Sequence, residues 1–218
     1  MGKALVRLAA GFVVLVALLL LAAGTTAYWQ AWAFMTLCLM VTTLVLLYLL
    51  VNDPELLQRR MKTKEMDGGQ SLIVKLAAVC YVLAFLVPGL DRRFGWSEVP
   101  VVAVLAADLV VLLVYGLFIL VLKENRYASR VIEVEAGQHV VTTGPYAVVR
   151  HPMYLGMLVM FLFTPVALGS WWAVVSVLPL IAVVVARIRT EERLLARELE
   201  GYREYTQTTK YRLIPCVW

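Results

Sequence analysis

Six predominantly apolar runs dominate the chain, at residues 8–23, 31–51, 72–88, 99–122, 152–168 and 171–186. Each approaches or exceeds what a helix needs to cross a hydrocarbon core, on the order of 20 residues at about 1.5 Å per residue. Backbone groups in lipid must find partners inside their own segment, so runs of this kind fold as helices. With 62% hydrophobic and only 16% charged residues, most of the chain cannot present a water-soluble surface. The expectation is an all-α integral membrane protein of about six transmembrane helices, with a further cytoplasmic helix at the C-terminal end.

Lysine and arginine set the expected orientation. Two precede the first run, four lie in residues 52–64, four in 123–150 and seven from Arg187 onward, whereas the alternate loops hold Arg92 and Arg93, balanced by Asp91 and Glu98. This positive-inside bias predicts a multi-pass protein of a cytoplasmic or inner membrane, with both termini in the cytoplasm. The formal net charge of +5 therefore belongs to membrane orientation, and no nucleic-acid partner is expected. Residues Lys3 and Arg7 followed by an apolar run also suit a cleaved signal peptide, with Ala22-Ala23-Gly24 as small residues at its end. An uncleaved first helix is preferred, because a second apolar run follows after a very short uncharged turn that Tyr28, Trp29 and Trp32 would anchor at the interface.

The segments between the runs carry the remaining signals. Asn52-Asp53-Pro54 is a helix stop and start, and the basic stretch 52–70 is expected as a short amphipathic helix on the membrane surface followed by a loop. Residues 89–98 read as an outer loop. Asp108 falls near the middle of the fourth run, where a carboxyl is expensive: it is either functional or hydrogen-bonded within the bundle. Short alternations at 131–135 and 139–141 suggest a small hairpin, too brief to assign. Gly169-Ser170 alone separates the last two runs, so residues 152–186 must form a tight helical hairpin, and 187–199 reads as a helix leaving the membrane. Cys38, Cys80 and Cys216 are widely spaced and odd in number, which fits packing residues rather than a metal or disulfide framework. No metal cluster is expected, and no βαβ pattern with a glycine-rich turn is present.

Polar chemistry concentrates in Gly144-Pro145-Tyr146-Ala147-Val148-Val149-Arg150-His151-Pro152-Met153-Tyr154. Gly-Pro favours a turn, and Pro152 suits the first position of a helix, where its missing N–H would have had no partner. Arg150 and His151 would then flank the positive end of a helix dipole, a ready site for an anion. A basic interfacial cap on a cytoplasmic helix end accounts for the same residues.

The motifs Gly144-Pro145-Tyr146, Arg150-His151-Pro152-x-Tyr154-x-Gly156, Leu168-Gly169-Ser170, Glu191-Glu192-x-x-Leu195, Gly201-Tyr202-x-x-Tyr205 and Arg212-Leu213-Ile214-Pro215 follow in order over residues 123–218. Together they resemble the isoprenylcysteine carboxyl methyltransferase family, which is itself similar to the phospholipid N-methyltransferases. The resemblance divides the chain into residues 1–122, four membrane helices with the basic segment, and 123–218, a methyltransferase-like region of loop, helical hairpin, C-terminal helix and tail.

What the resemblance implies is an integral membrane enzyme that uses S-adenosylmethionine, held in a small cytoplasmic loop region. Its cofactor shell would include Gln138, His139, Gly144, Pro145, Tyr146, Arg150, His151, Tyr154, Glu191 and Glu192, with Arg150 and Glu192 as catalytic groups and Tyr202, Tyr205 and Arg212 toward the acceptor. S-adenosylmethionine carries charges of both signs; Arg150 and His151 suit its carboxylate, and Glu191 or Glu192 its ammonium or ribose groups. Adjacent helical residues point about 100° apart, so at most one of the two glutamates can meet the ribose. The expected acceptor is a lipid-like or prenylated small molecule methylated on a carboxylate, with amine and thiol acceptors as alternatives. From other classes, a membrane reductase and a non-catalytic membrane interaction protein remain open.

Overall fold

The computed structural model describes residues 2–61, 68–128, 134 and 137–218. Of the suggested hairpin, residues 131–133, 135 and 136 lie outside them, and the described residues 134 and 137–141 form no strand. Helices α1 (Gly2–Ala23), α2 (Trp29–Asn52), α3 (Pro54–Met61), α4 (Gly68–Phe94) and α5 (Val101–Glu124) are followed by a 3-10 turn at Gly144–Ala147. Helices α6 (Pro152–Ala167), α7 (Trp172–Val177), α8 (Pro179–Glu198) and α9 (Tyr202–Thr208) complete the chain, and no strand occurs among the described residues. The fold is all-α. Five helical stretches, Leu5–Ala23, Trp29–Asn52, Leu72–Phe94, Val101–Glu124 and Trp172–Glu198, are long and apolar enough to cross a membrane.

The expected spans differ from these in three places. The fifth apolar run forms α6, whose 16 residues cover about 24 Å against a hydrocarbon core of about 30 Å. Its start is pinned: the N–H groups of Arg150 and His151 donate to the carbonyls of Tyr211 and Arg212, both at 2.9 Å. Its end turns at Gly169, whose φ of +76° is a left-handed value open to glycine. The sixth run does not stop at 186, because α8 continues without interruption to Glu198. The membrane stretch and the helix expected to leave it are one rod, separated from α7 by the single residue Leu178.

The third difference is at residues 89–94, which are helical rather than an outer loop. Pro88 sits inside α4, and Gly89 lies where a Cβ would stand 2.6 Å from the Ala22 Cβ and 2.7 Å from the Leu19 carbonyl. The absent side chain lets α1 and α4 touch. Two residues on, Asp91 is only 1% exposed; it accepts from the Ser97 N–H at 2.8 Å, from the Ser97 hydroxyl and from the Ser170 hydroxyl. Asp91 is therefore a buried joint between α4 and the α6–α7 turn, and the Arg92 guanidinium donates instead to the Ala27 carbonyl.

The main core gathers Leu19, Tyr28, Phe34, Phe85, Val111 and Leu168 from α1, α2, α4, α5 and the end of α6. A second cluster joins Cys80, Leu180, Val184, Ile188 and Leu213, seating the C-terminal tail against α4 and α8. Of the three cysteines only Cys80 is fully a packing residue; Cys38 is half-buried and Cys216 is exposed. Asp108 is half-buried in α5, and its Oδ1 has no hydrogen-bond partner among the described residues.

Candidate active site

The site lies at the end of the bundle opposite Asp91, where α6 begins. Gly144 has a φ of +56°, and a Cβ there would meet Glu124 Cγ at 2.7 Å. Glu124 in turn accepts from the Thr143 hydroxyl at 2.6 Å. The Gly-Pro turn is thus locked to the end of α5. Tyr146 follows, its hydroxyl accepting from Asn125 Nδ2 at 2.9 Å and its carbonyl accepting from the Tyr205 hydroxyl at 2.7 Å. Burial pushes the Tyr146 and Tyr205 phenols each up to about 12, so both are neutral donors at physiological pH.

Arg150 is 7% exposed. Its Nε donates to Glu192 Oε1 at 2.8 Å and its Nη1 to the carbonyls of Thr209 and Lys210 at 2.7 and 2.9 Å. Glu192 Oε2 accepts from Arg212 Nε at 2.7 Å, and His151 Nε2 stands 3.4 Å from Glu192 Oε1. Arg212 also lies over the Trp218 ring at 5.1 Å. The anion site expected at the head of α6 is therefore engaged by the chain itself: Glu192 receives the cations and the tail carbonyls receive the N–H groups. Neighbouring Glu191 turns the other way, where its Oε2 accepts from the Tyr154 hydroxyl at 2.7 Å, and that hydroxyl accepts from Arg187 Nε at 3.0 Å.

These walls enclose a cavity of about 570 Å³, within the range of about 300–1,000 Å³ usual for small-molecule sites. Gln138, His139, Tyr146, Arg150, His151, Tyr154, Glu191, Tyr202 and Tyr205 line it. Gly144 and Pro145 shape the turn behind it, and Glu192 and Arg212 do not reach it. The pair expected to be catalytic, Arg150 and Glu192, forms an ion pair in which Arg150 lines the cavity and Glu192 stands behind it, and Arg212 joins the same carboxylate.

Five polar or aromatic lining residues lie outside the expected set: Arg60, Phe118, Asn125, Tyr127 and Arg187. Arg60 arrives on α3, which Asp53 caps through its Oδ1 to the Leu56 N–H at 3.0 Å and which the buried Leu56 anchors. The Arg60 Nη1 donates to the Ala128 carbonyl at 3.2 Å, and Arg59 lies over the Tyr127 ring at 5.4 Å. The stop-and-start signal at residues 52–54 marked this helix, but nothing local marked its destination. Arg187 stands four residues before Glu191, a spacing that puts the two charges on one helix face. Gly156 explains Phe118: a Cβ there would stand 2.6 Å from the ring, so the glycine lets the ring settle against α6.

The cavity has two halves of different character. Ile73, Val74 and Ala77 of α4, Met157 of α6 and Leu180, Val183 and Val184 of α8 form an apolar half. Along α8 the lining residues run Leu180, Val183, Val184, Arg187, Glu191 and Leu195, one face at helical spacing, with Leu199 just past its end. Arg187, Tyr154 and Glu191 stand at the border, and Tyr202 and Tyr205 lie beyond it at the polar end, away from the apolar half.

No curated protein matches the chain. Residues 102–200, from the start of α5 to just past α8, match the family of phospholipid methyltransferases. The matched stretch contains the Gly-Pro turn, the Arg-His-Pro segment and both glutamates, and it supports a membrane methyltransferase acting on lipid-like substrates.

Proposed function

We propose that the protein is an S-adenosylmethionine-dependent methyltransferase, similar to the isoprenylcysteine carboxyl methyltransferases, that O-methylates the carboxylate of a lipid-like or isoprenylcysteine-like acceptor. The observation that carries this reading is the divided cavity: a polar half with charges of both signs joins an apolar half at the Tyr154–Arg187–Glu191 contact. The residues present fit a zwitterionic nucleoside cofactor. Arg60, Arg187 and His151 can face a carboxylate, Glu191 can accept from an ammonium or hydroxyl group, and Val140, Val141, Leu195 and Leu199 can cover a purine. Bound there, S-adenosylmethionine supplies an electrophilic methyl group on sulfur.

The chain's own part is to position and to exclude water. The apolar half removes the acceptor's tail from water, leaving its head group at the border. Arg187 is the first cation that such a head group meets. A carboxylic acid with a pKa of about 4 is ionised without help, whereas a protonated amine must first lose its proton to a base. Within this reading the acceptor enters sideways from the bilayer, the cofactor enters from the cytoplasm, and both termini face the cytoplasm. A phospholipid amine acceptor is the second reading, favoured by the family matched over residues 102–200.

Purified protein incubated with methyl-labelled S-adenosylmethionine and a total lipid extract separates the two. A base-labile methyl ester is expected; a base-stable methylated amine or thioether would select another acceptor. Binding of NADPH in place of S-adenosylhomocysteine would point to a reductase. A cysteine placed at Gln138 should react with impermeant reagents only after the membrane is opened, and labelling of intact cells would reverse the proposed orientation.

A further inference from the structure

Tyr202 is the first residue of α9, and the chain turns into it through Gly201, whose φ is +78°. The side chain is 4% exposed and lines the polar end of the cavity. Its hydroxyl has no hydrogen-bond partner among the described residues. That is unusual for a buried hydroxyl, because leaving such a group unsatisfied sacrifices the hydration it had in the unfolded chain. Its neighbour Tyr205, by contrast, donates to the Tyr146 carbonyl at 2.7 Å. Two tyrosines of one short helix, with ring centroids 5.9 Å apart, differ in their hydroxyls: one closes the wall, and the other, on a residue of the cavity lining, is buried with no partner among the described residues.

The surroundings narrow what that donor can meet. Burial first, and the Glu192 and Glu191 carboxylates second, push the Tyr202 phenol above its ordinary range, so it keeps its proton. The carboxylates disfavour an anion there and the Arg150 guanidinium favours one, but that guanidinium is already engaged by Glu192 and the tail carbonyls. Val140, Val141, Leu195 and Leu199 supply apolar walls at this end of the cavity, and the apolar half that suits an acceptor's tail is at the other end. A neutral hydrogen-bond acceptor on a flat apolar body is the chemistry that fits.

We propose that the Tyr202 hydroxyl, rather than contacting the methyl acceptor, donates a hydrogen bond to a neutral acceptor atom in the nucleoside half of the bound cofactor. Tyr202 is then a binding residue for the methyl donor, and the ligand completes a hydrogen bond that the protein alone leaves open. This rests on the S-adenosylmethionine reading above.

The test compares the full-length wild type with Tyr202→Phe by calorimetric titration of S-adenosylhomocysteine and by thermal unfolding without ligand. The expected result is an affinity lowered about threefold to tenfold, the effect of one neutral hydrogen bond, together with an unchanged or higher melting temperature of the ligand-free protein. Deaza and deoxy analogues of S-adenosylhomocysteine locate the accepting atom: the one that lacks it loses affinity for the wild type and binds both proteins equally. Unchanged affinity in Tyr202→Phe overturns the proposal, as does a lower ligand-free melting temperature, which would reveal a partner for the hydroxyl within the protein. Tyr202→Leu, which removes ring and hydroxyl together, must weaken S-adenosylhomocysteine at least as much as Tyr202→Phe; a smaller effect overturns the proposal too. Failure of the wild type itself to bind S-adenosylhomocysteine removes the methyltransferase reading instead.

Discussion

Two carboxylates, the buried Asp91 and the largely covered Glu192, stand at opposite ends of α6 and are satisfied in opposite ways. Asp91 is met by neutral donors, one peptide N–H and the hydroxyls of Ser97 and Ser170. Glu192 is met by Arg150 and Arg212 through their Nε atoms, with His151 alongside. Both are joints: the first ties α4 to the α6–α7 turn, the second ties the head of α6 to α8 and the tail. Neither faces the cavity, although Glu192 adjoins a residue that does. The difference teaches that a carboxylate can be held by neutral donors or by cations and still serve as a joint, whereas Glu191, next to Glu192 on α8, takes a tyrosine hydroxyl at the border of two unlike half-cavities.

The largest effect is expected from Glu192→Ala, which leaves the Arg150 guanidinium, 6% exposed at its side chain, without its carboxylate. Breaking a buried ion pair from one side costs about 3 to 5 kcal/mol, so thermal unfolding in detergent should show a severe loss of stability before any assay of binding. Stable Glu192→Ala protein that binds S-adenosylhomocysteine normally but has lost turnover would mean that Glu192 is chemical rather than structural.

Glu191→Ala should do the reverse. Loss of one charge-assisted partner is worth about 1.5 to 3 kcal/mol, or roughly tenfold to a hundredfold in affinity, measured by titration with S-adenosylhomocysteine. The fold should survive, because Tyr154 keeps Arg187 as a neighbour. Equal affinities of the mutant and the wild type would remove Glu191 from the site.

Asp91→Asn keeps the shape of the joint but converts an acceptor into a mixed group facing two hydroxyls and an N–H. A loss of about 1 to 3 kcal/mol is expected, read as a lower melting temperature at unchanged cofactor affinity. If affinity fell in step, the two ends of α6 would be coupled and the contrast between them would fail.

The smallest effect belongs to Tyr154→Phe, which removes the hydroxyl that joins Arg187 to Glu191. About 0.5 to 1.5 kcal/mol is at stake, and it should appear in kcat/KM for the acceptor more than in melting temperature. A change in stability alone would assign the hydroxyl to packing.

Much of the fold was legible because its signals are local. Apolar runs of membrane length, the Asn52-Asp53-Pro54 break, Pro152 at a helix start and the Gly169 turn each act within a few residues, and the helices followed. Where the reading stopped short, a distant partner had overruled a local signal. Pro88-Gly89 suggested the end of a span, but α1 packs against Gly89 and the buried Asp91 carries α4 on to Phe94. The charge change at residue 187 suggested a new helix, but a continuous backbone pays no attention to which solvent surrounds it, and α8 runs through.

The candidate site divides in the same way. The sequence by itself determined the inventory: a Gly-Pro turn, an Arg-His-Pro helix start and two adjacent glutamates on a later helix, of which at most one could face any one ligand. Tertiary structure alone decided that Glu191 is the one on the cavity side, that Arg150 is engaged by Glu192 and the tail, and that Arg60 joins the wall from a helix far earlier in the chain. It also decided that Tyr202, unlike Tyr205, ends with an open hydroxyl. Residue type and spacing specify which bonds a side chain can make, but the choice among partners depends on how helices distant in sequence are rotated and offset, and that is settled only when they pack.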